Sequence, residues 1–124
     1  MKKILIVEDE KILAEMYQEK LIKTGFDVIA SSEAEEGLEM AKTEKPDLIL
    51  LDILLPRGNG IFFLKSLRND SAISSLPVLV FSNYDDPETK QEAIKLGVKD
   101  YLIKTGYTPG EIVDKIKKYL SESN

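Results

Sequence analysis

The 124 residues are 43% hydrophobic and 31% charged, enough apolar material for a single core without disulfides and too much for a disordered chain. A formal net charge of −5 argues against direct nucleic-acid binding, which needs clustered Lys and Arg. The absence of Cys and His excludes thiol chemistry, the usual zinc sites and imidazole acid–base catalysis, leaving carboxylates, hydroxyls and lysines.

The N-terminus, Met1-Lys2-Lys3 followed by an apolar run at residues 4–7, is cut off by Glu8, Asp9 and Glu10 too early for a signal peptide. That run is the first of five predicted strands; the others are residues 26–30, 48–51, 78–81 and 101–103. After the first, Ile12, Leu13, Met16, Leu21 and Ile22 recur at helical spacing up to Gly25, predicting a helix over about residues 10 to 24. Ser32 with Glu35 reads as a capping box opening a second helix, which passes Leu38 and Ala41 and ends before Pro46. The apolar stretch at residues 48–55 contains Asp52 and is too short to cross a bilayer, so a cytoplasmic protein is expected.

A third helix follows Asn59-Gly60, where Asn suits unusual backbone angles, and carries Phe62, Leu64 and Leu67. Asp86 before Pro87 opens a fourth, which passes Ala93, Ile94 and Leu96 and stops at Gly97. Thr108 with Glu111 forms a capping box for a fifth, with Ile112, Val113, Ile116 and Leu120 on one stripe and a polar tail at residues 121–124. This alternation predicts an α/β fold: a doubly wound five-stranded parallel sheet, (βα)5, with right-handed crossovers and no domain boundary within 1–124.

In such sheets functional groups gather beyond the carboxyl ends of the strands. The residues there are Glu8 and Asp9, Asp52, Ser82 and Lys104, whereas the second strand ends without a side chain suited to phosphate or metal. Singly, each has a plain structural explanation: acids opening a helix, a serine starting a turn, a lysine reaching solvent. Asp52 is the exception, because an unpaired carboxylate ending a strand buried on both faces is costly without a purpose. One site explains all four strand ends together.

Ile-Val-Glu-Asp-Glu at 6–10, Leu-Asp-Ile-Leu-Leu-Pro-Arg-Gly-Asn-Gly at 51–60, Phe-Ser-Asn at 81–83 and Asp-Tyr-Leu-Ile-Lys at 100–104 resemble the receiver domains of bacterial two-component response regulators. The resemblance covers essentially the whole chain and implies the flavodoxin-like strand order 2-1-3-4-5. It also implies Asp52 as phosphoacceptor, Glu8 and Asp9 with Asp52 as ligands of Mg²⁺, and a further metal ligand in the backbone carbonyl of Leu54. Ser82 would contact the phosphoryl group, Lys104 would neutralise it, and Tyr101 would be a switch aromatic moving between outward and inward positions. The implied donor is a sensor histidine kinase or histidine phosphotransfer protein, and the implied output is a downstream protein bound through helix four, strand five and helix five. That surface also serves receivers that pair as homodimers. No membrane partner is implied.

Two positions depart from the commonest family pattern. Thr105 stands where the family usually has a proline after a cis bond; we expect the Lys104–Thr105 bond to be cis nonetheless, at a cost of about 3 kcal/mol, so as to aim the lysine. Asn83 stands beside the Ser82 hydroxyl where a small residue is usual, and is expected to narrow the approach or hydrogen-bond near it.

Three other functions fit these residues less well. An aspartyl-phosphate phosphatase of the haloacid-dehalogenase type needs a second Asp two residues after the nucleophile, where this chain has Leu54. A flavodoxin-like binder of FMN needs a phosphate cradle after strand one, where this chain has Glu8-Asp9-Glu10-Lys11. A degenerate receiver serving only for docking would not need Asp52 and Lys104 intact.

Overall fold

The computed structural model describes residues 1–55 and 59–122; Pro56, Arg57 and Gly58 of the Asp52 motif, and Ser123 and Asn124 of the expected tail, lie outside them. The chain runs β1 (Lys3–Val7), α1 (Lys11–Thr24), β2 (Asp27–Ser31), α2 (Ala34–Glu44), β3 (Leu48–Leu51), α3 (Gly60–Asn69), β4 (Val78–Ser82), α4 (Pro87–Lys95), β5 (Asp100–Ile103) and α5 (Pro109–Glu122). A short 3₁₀ turn, Lys104–Gly106, follows β5. The strands form one parallel sheet in the order β2-β1-β3-β4-β5.

Side chains alternate across a strand, so each apolar run supplies both faces of the sheet. Leu5, Val7, Ile49, Leu51, Val78 and Val80 face one way and pack with Ala34, Ala41, Phe63, Leu64, Leu67 and Ala93 of α2, α3 and α4. Ile4, Ile6, Leu48, Leu50, Leu79, Phe81 and Leu102 face the other way and pack with Tyr17, Leu21, Ile112, Val113, Ile116 and Leu120 of α1 and α5. Among the described residues no helix is long and apolar enough to cross a membrane.

Helix ends mostly follow their local chemistry. Gly25, with φ of 107°, closes α1, and its N–H bonds back to the Ile22 carbonyl. Asp86 caps α4 by accepting from Thr89 N–H, with Pro87 at the first turn. Thr108 and Glu111 exchange the two bonds of a capping box, at 2.8 and 3.2 Å. Asn59 has ordinary extended angles (φ −108°, ψ 174°) and instead caps α3 through Phe62 N–H, so its value lies in capping rather than unusual geometry.

Three expectations need correction. The Ser32–Glu35 capping box does not form: β2 extends to Ser31 and α2 begins at Ala34, which puts Ser32 one position too early to cap. Ser31 takes up the role locally, its hydroxyl bonding Glu36 Oε1 at 2.7 Å and accepting from Glu33 N–H at 3.2 Å. The buried stripe of α1 is Ala14, Tyr17 and Leu21, while Ile12 and Ile22 are exposed. Ser121 and Glu122 belong to α5 rather than to a tail.

Candidate functional site

Parallel register brings the carboxyl ends of β1, β3, β4 and β5 to one edge: Val7 pairs with Leu51, Leu51 with Val80, and Ser82 with Ile103. Backbone bonding continues just past the strands, with Asp52 N–H donating to the Val7 carbonyl at 2.9 Å and Glu8 N–H to that of Ser31 at 2.9 Å. Glu8 and Asp52 are thereby buried with their carboxylates facing each other, and Asp9 stands exposed beside them. One oxygen from each of Glu8, Asp9 and Asp52 lies within 4.8 Å of the others, an arrangement that can hold a metal ion. The donors are all hard oxygens, the set that suits Mg²⁺ rather than a softer metal.

Gly60 makes the turn after β3 compact. A Cβ there would lie 2.6 Å from Ile53 Cα, so only glycine lets the start of α3 press against the loop carrying Asp52. Within that loop Leu54 donates its N–H to Asp52 Oδ1 at 3.1 Å, fixing the carboxylate's orientation.

Lys104 reaches the acids from the end of β5. Its Nζ lies 2.7 Å from Glu8 Oε1, 3.1 Å from Asp52 Oδ2 and 3.0 Å from Glu10 Oε2, with 9% of the side chain exposed. The ammonium also stands 5.8 Å from the centre of the Phe81 ring. The Lys104–Thr105 peptide bond is trans, contrary to expectation. The lysine is aimed from β5 and the 3₁₀ turn without a cis bond and its cost.

Burial is the main influence on Glu8, pushing its carboxyl up to about 7, helped by the Asp52 charge and opposed by the Lys104 bond and the Glu10 N–H. Burial alone would lower the Lys104 pKa; its bonds to Glu8, Glu10 and Asp52 outweigh that and raise it, so the lysine stays charged. Beneath Glu8 and Asp52, against Tyr17 and Phe81, the remaining cavity is about 10 Å³, room for about one water. Any larger ligand must come from the outer side.

Ser82 is fully buried at the end of β4, and its hydroxyl accepts from Tyr84 N–H at 3.2 Å rather than bonding Asp52. Tyr101, on β5, donates its hydroxyl to the Tyr84 carbonyl and carries Lys90 Nζ 5.8 Å above its ring. Burial, then the charges of Asp52, Asp85 and Asp86, push its phenol up to about 12. Asn83 is exposed.

Residues 4–117 match the response regulator receiver domain family. The chain belongs to this family. Among its relatives are the alkaline phosphatase synthesis transcriptional regulatory protein PhoP of Bacillus subtilis (strain 168), 39% identical over 122 residues, which are 98% of this chain and 50% of PhoP. The phosphate regulon transcriptional regulatory protein PhoB of Escherichia coli (strain K12) is 34% identical over 116 residues, 94% of this chain and 50% of PhoB. The chain thus spans about half the length of these curated relatives. A CheY-like response regulator receiver domain protein from Methanospirillum hungatei superposes with a TM-score of 0.92 at 27% identity, over 98% of this chain and 95% of that one. The BeF3-activated receiver domain of RstA from Klebsiella pneumoniae does so with 0.86 at 28% identity, over 96% and 98%.

This receiver brings Glu8, Asp9, Asp52 and Lys104 together at the strand ends, while Ser82 lies at the end of β4 with its hydroxyl bonded to Tyr84. It adds two that the strand-end rule passes over. Glu10 follows the acidic pair by one residue and takes a bond of Lys104. Tyr17 lies about two helical turns further on and walls the site from below. Only an acidic residue next to the pair, and an aromatic on the inner stripe of α1, could have signalled them.

Proposed function

We propose that this receiver takes up a phosphoryl group on Asp52 from a phosphohistidine donor and, so modified, changes its affinity for a partner. What carries the reading is the Asp52 carboxylate, buried at the strand edge with one oxygen held by Leu54 N–H and the other by Lys104. Glu8, Asp9 and Asp52 would hold Mg²⁺, with the Leu54 carbonyl as a further ligand; the ion would supply positive charge to offset the crowded anions.

An Asp52 oxygen attacks phosphorus as the phosphorus–nitrogen bond to the donor imidazole breaks, its electron pair returning to the ring. Lys104 follows the charge that builds on the phosphoryl oxygens. Ser82 is drawn from Tyr84 toward the new group, and because Tyr101 is bonded to the same Tyr84, the aromatic shifts with it. The surface of α4, β5 and α5 then receives the downstream protein or a second copy. Hydrolysis of the acyl phosphate returns Asp52 to a carboxylate; this self-dephosphorylation is the only turnover proposed. The donor is a sensor histidine kinase or histidine phosphotransfer protein, and residues 1–124 act as one receiver unit.

Intact mass spectrometry after incubation with acetyl phosphate, with and without Mg²⁺, tests the reading. A gain of one phosphoryl group that requires Mg²⁺ and disappears in Asp52→Asn is expected. No gain in the wild type, by this donor or as binding of beryllofluoride, would sink it.

A further inference from the structure

An ammonium has three N–H donors, and in this receiver all three of Lys104 are engaged by carboxylates: Glu8 at 2.7 Å, Glu10 at 3.0 Å and Asp52 at 3.1 Å. A phosphoryl group arriving on Asp52 therefore finds its cation saturated, and one partner has to leave. The three are unequal. The side chains of Glu8 and Asp52 are 5% and 6% exposed, so neither can swing away from the lysine into water. Glu10 is 63% exposed, and water replaces the lysine at little cost when it swings away.

Its backbone supports the same view. Glu10 is the N-cap residue of α1 but makes no side-chain bond to the helix, so its carboxylate is turned from the free N–H groups of the first turn toward Lys104. Its own N–H donates to Glu8 Oε2 at 3.1 Å, which anchors the main chain while the side chain remains free to rotate.

We propose that Glu10 is a gate on the site: its carboxylate holds the third donor of Lys104 in the resting receiver and is displaced by a phosphoryl oxygen. It acts through Lys104 as a positioning residue, and as a negative charge at the mouth it also disfavours anions that cannot displace it. The proposal rests on the phosphoacceptor reading and adds the contact that sets how readily the site fills.

The test is beryllofluoride affinity at saturating Mg²⁺, followed by ¹H–¹⁵N NMR, for the wild type, Glu10→Ala and Glu15→Ala. Glu15 is an exposed acid on α1 that makes no bond to Lys104, so its variant controls for loss of one charge nearby. Removing Glu10 is expected to tighten binding about two- to five-fold, the scale of one exposed ion pair. The gain should shrink at high salt, while Glu15→Ala stays at the wild-type value. Affinity in Glu10→Ala equal to or weaker than wild type overturns the gate, as does an equal gain in Glu15→Ala. A wild type that does not respond to beryllofluoride at all overturns the phosphoacceptor reading itself, and the gate with it.

Discussion

Asp52 and Glu8 sit close enough to repel each other, and one lysine serves both. Neutralising Asp52 relieves that repulsion and leaves Lys104 with two acidic partners. We expect Asp52→Asn to stabilise the metal-free protein by about 1 kcal/mol, seen as a higher urea midpoint at unchanged slope; a lower midpoint would contradict the electrostatic account. The buried phenol of Tyr17 and the half-buried one of Tyr101 make a separate case. Burial pushes both Tyr17 and Tyr101 up to about 12, Lys104 opposing this at Tyr17 and nearby acids reinforcing it at Tyr101. A phenol whose folded value is raised stabilises the fold fully below its unfolded value and loses that contribution as pH rises through the folded one. Alkaline difference spectroscopy should therefore show a late phenol ionisation, with Tyr17→Phe and Tyr101→Phe each removing part of it.

Among the helices α4 is the least anchored: Ala93 is its buried residue and Ile94 is exposed. Its ends are tied instead. The Tyr101 hydroxyl holds the Tyr84 carbonyl ahead of it, and at the far end the Arg68 guanidinium donates to the carbonyls of Leu96 at 2.6 Å, Gly97 at 3.3 Å, Ser74 at 3.0 Å and Leu76 at 2.8 Å. Arg68→Ala removes the donor to all four and should cost about 2 kcal/mol. Hydrogen exchange should quicken at the C-terminal end of α4 and around residues 74–76 but not in α1 or α5; uniform quickening would mean Arg68 merely supports the core. None of this was legible in the sequence, because an arginine bonding distant carbonyls leaves no local pattern. The caps at Asp86 and Thr108 were legible since donor and acceptor sit within three residues of each other. The Ser32 cap failed because β2 lies one residue later than expected, ending at Ser31, and α2 begins only at Ala34. The α1 stripe was misplaced because Tyr17 does the burying that Ile12 and Ile22 suggested.

For the molecule as a whole, the sheet and its strand-end site could be read in advance because apolar runs buried on both faces admit little but a parallel sheet, and the crevice lies where such sheets end. The reach of Lys104 to Glu10 was not readable, since it depends on side-chain geometry between residues 94 positions apart. The acids come together only in the folded state, so a divalent cation that they hold must stabilise the fold by mass action. At a hundredfold excess over its Kd, Mg²⁺ should add about 2.7 kcal/mol. Calorimetry should show a rise in Tm for the wild type that is smaller in Asp52→Asn, and equal rises would place the ion elsewhere.

The position of Lys104 after the last strand also orders events during synthesis. A chain leaving the ribosome contains Glu8, Asp9 and Asp52 long before it contains their lysine, and until β5 docks at the edge of the sheet the two buried acids have no cation. A chain that stops short of β5 therefore carries the three acids without the lysine that pairs with them.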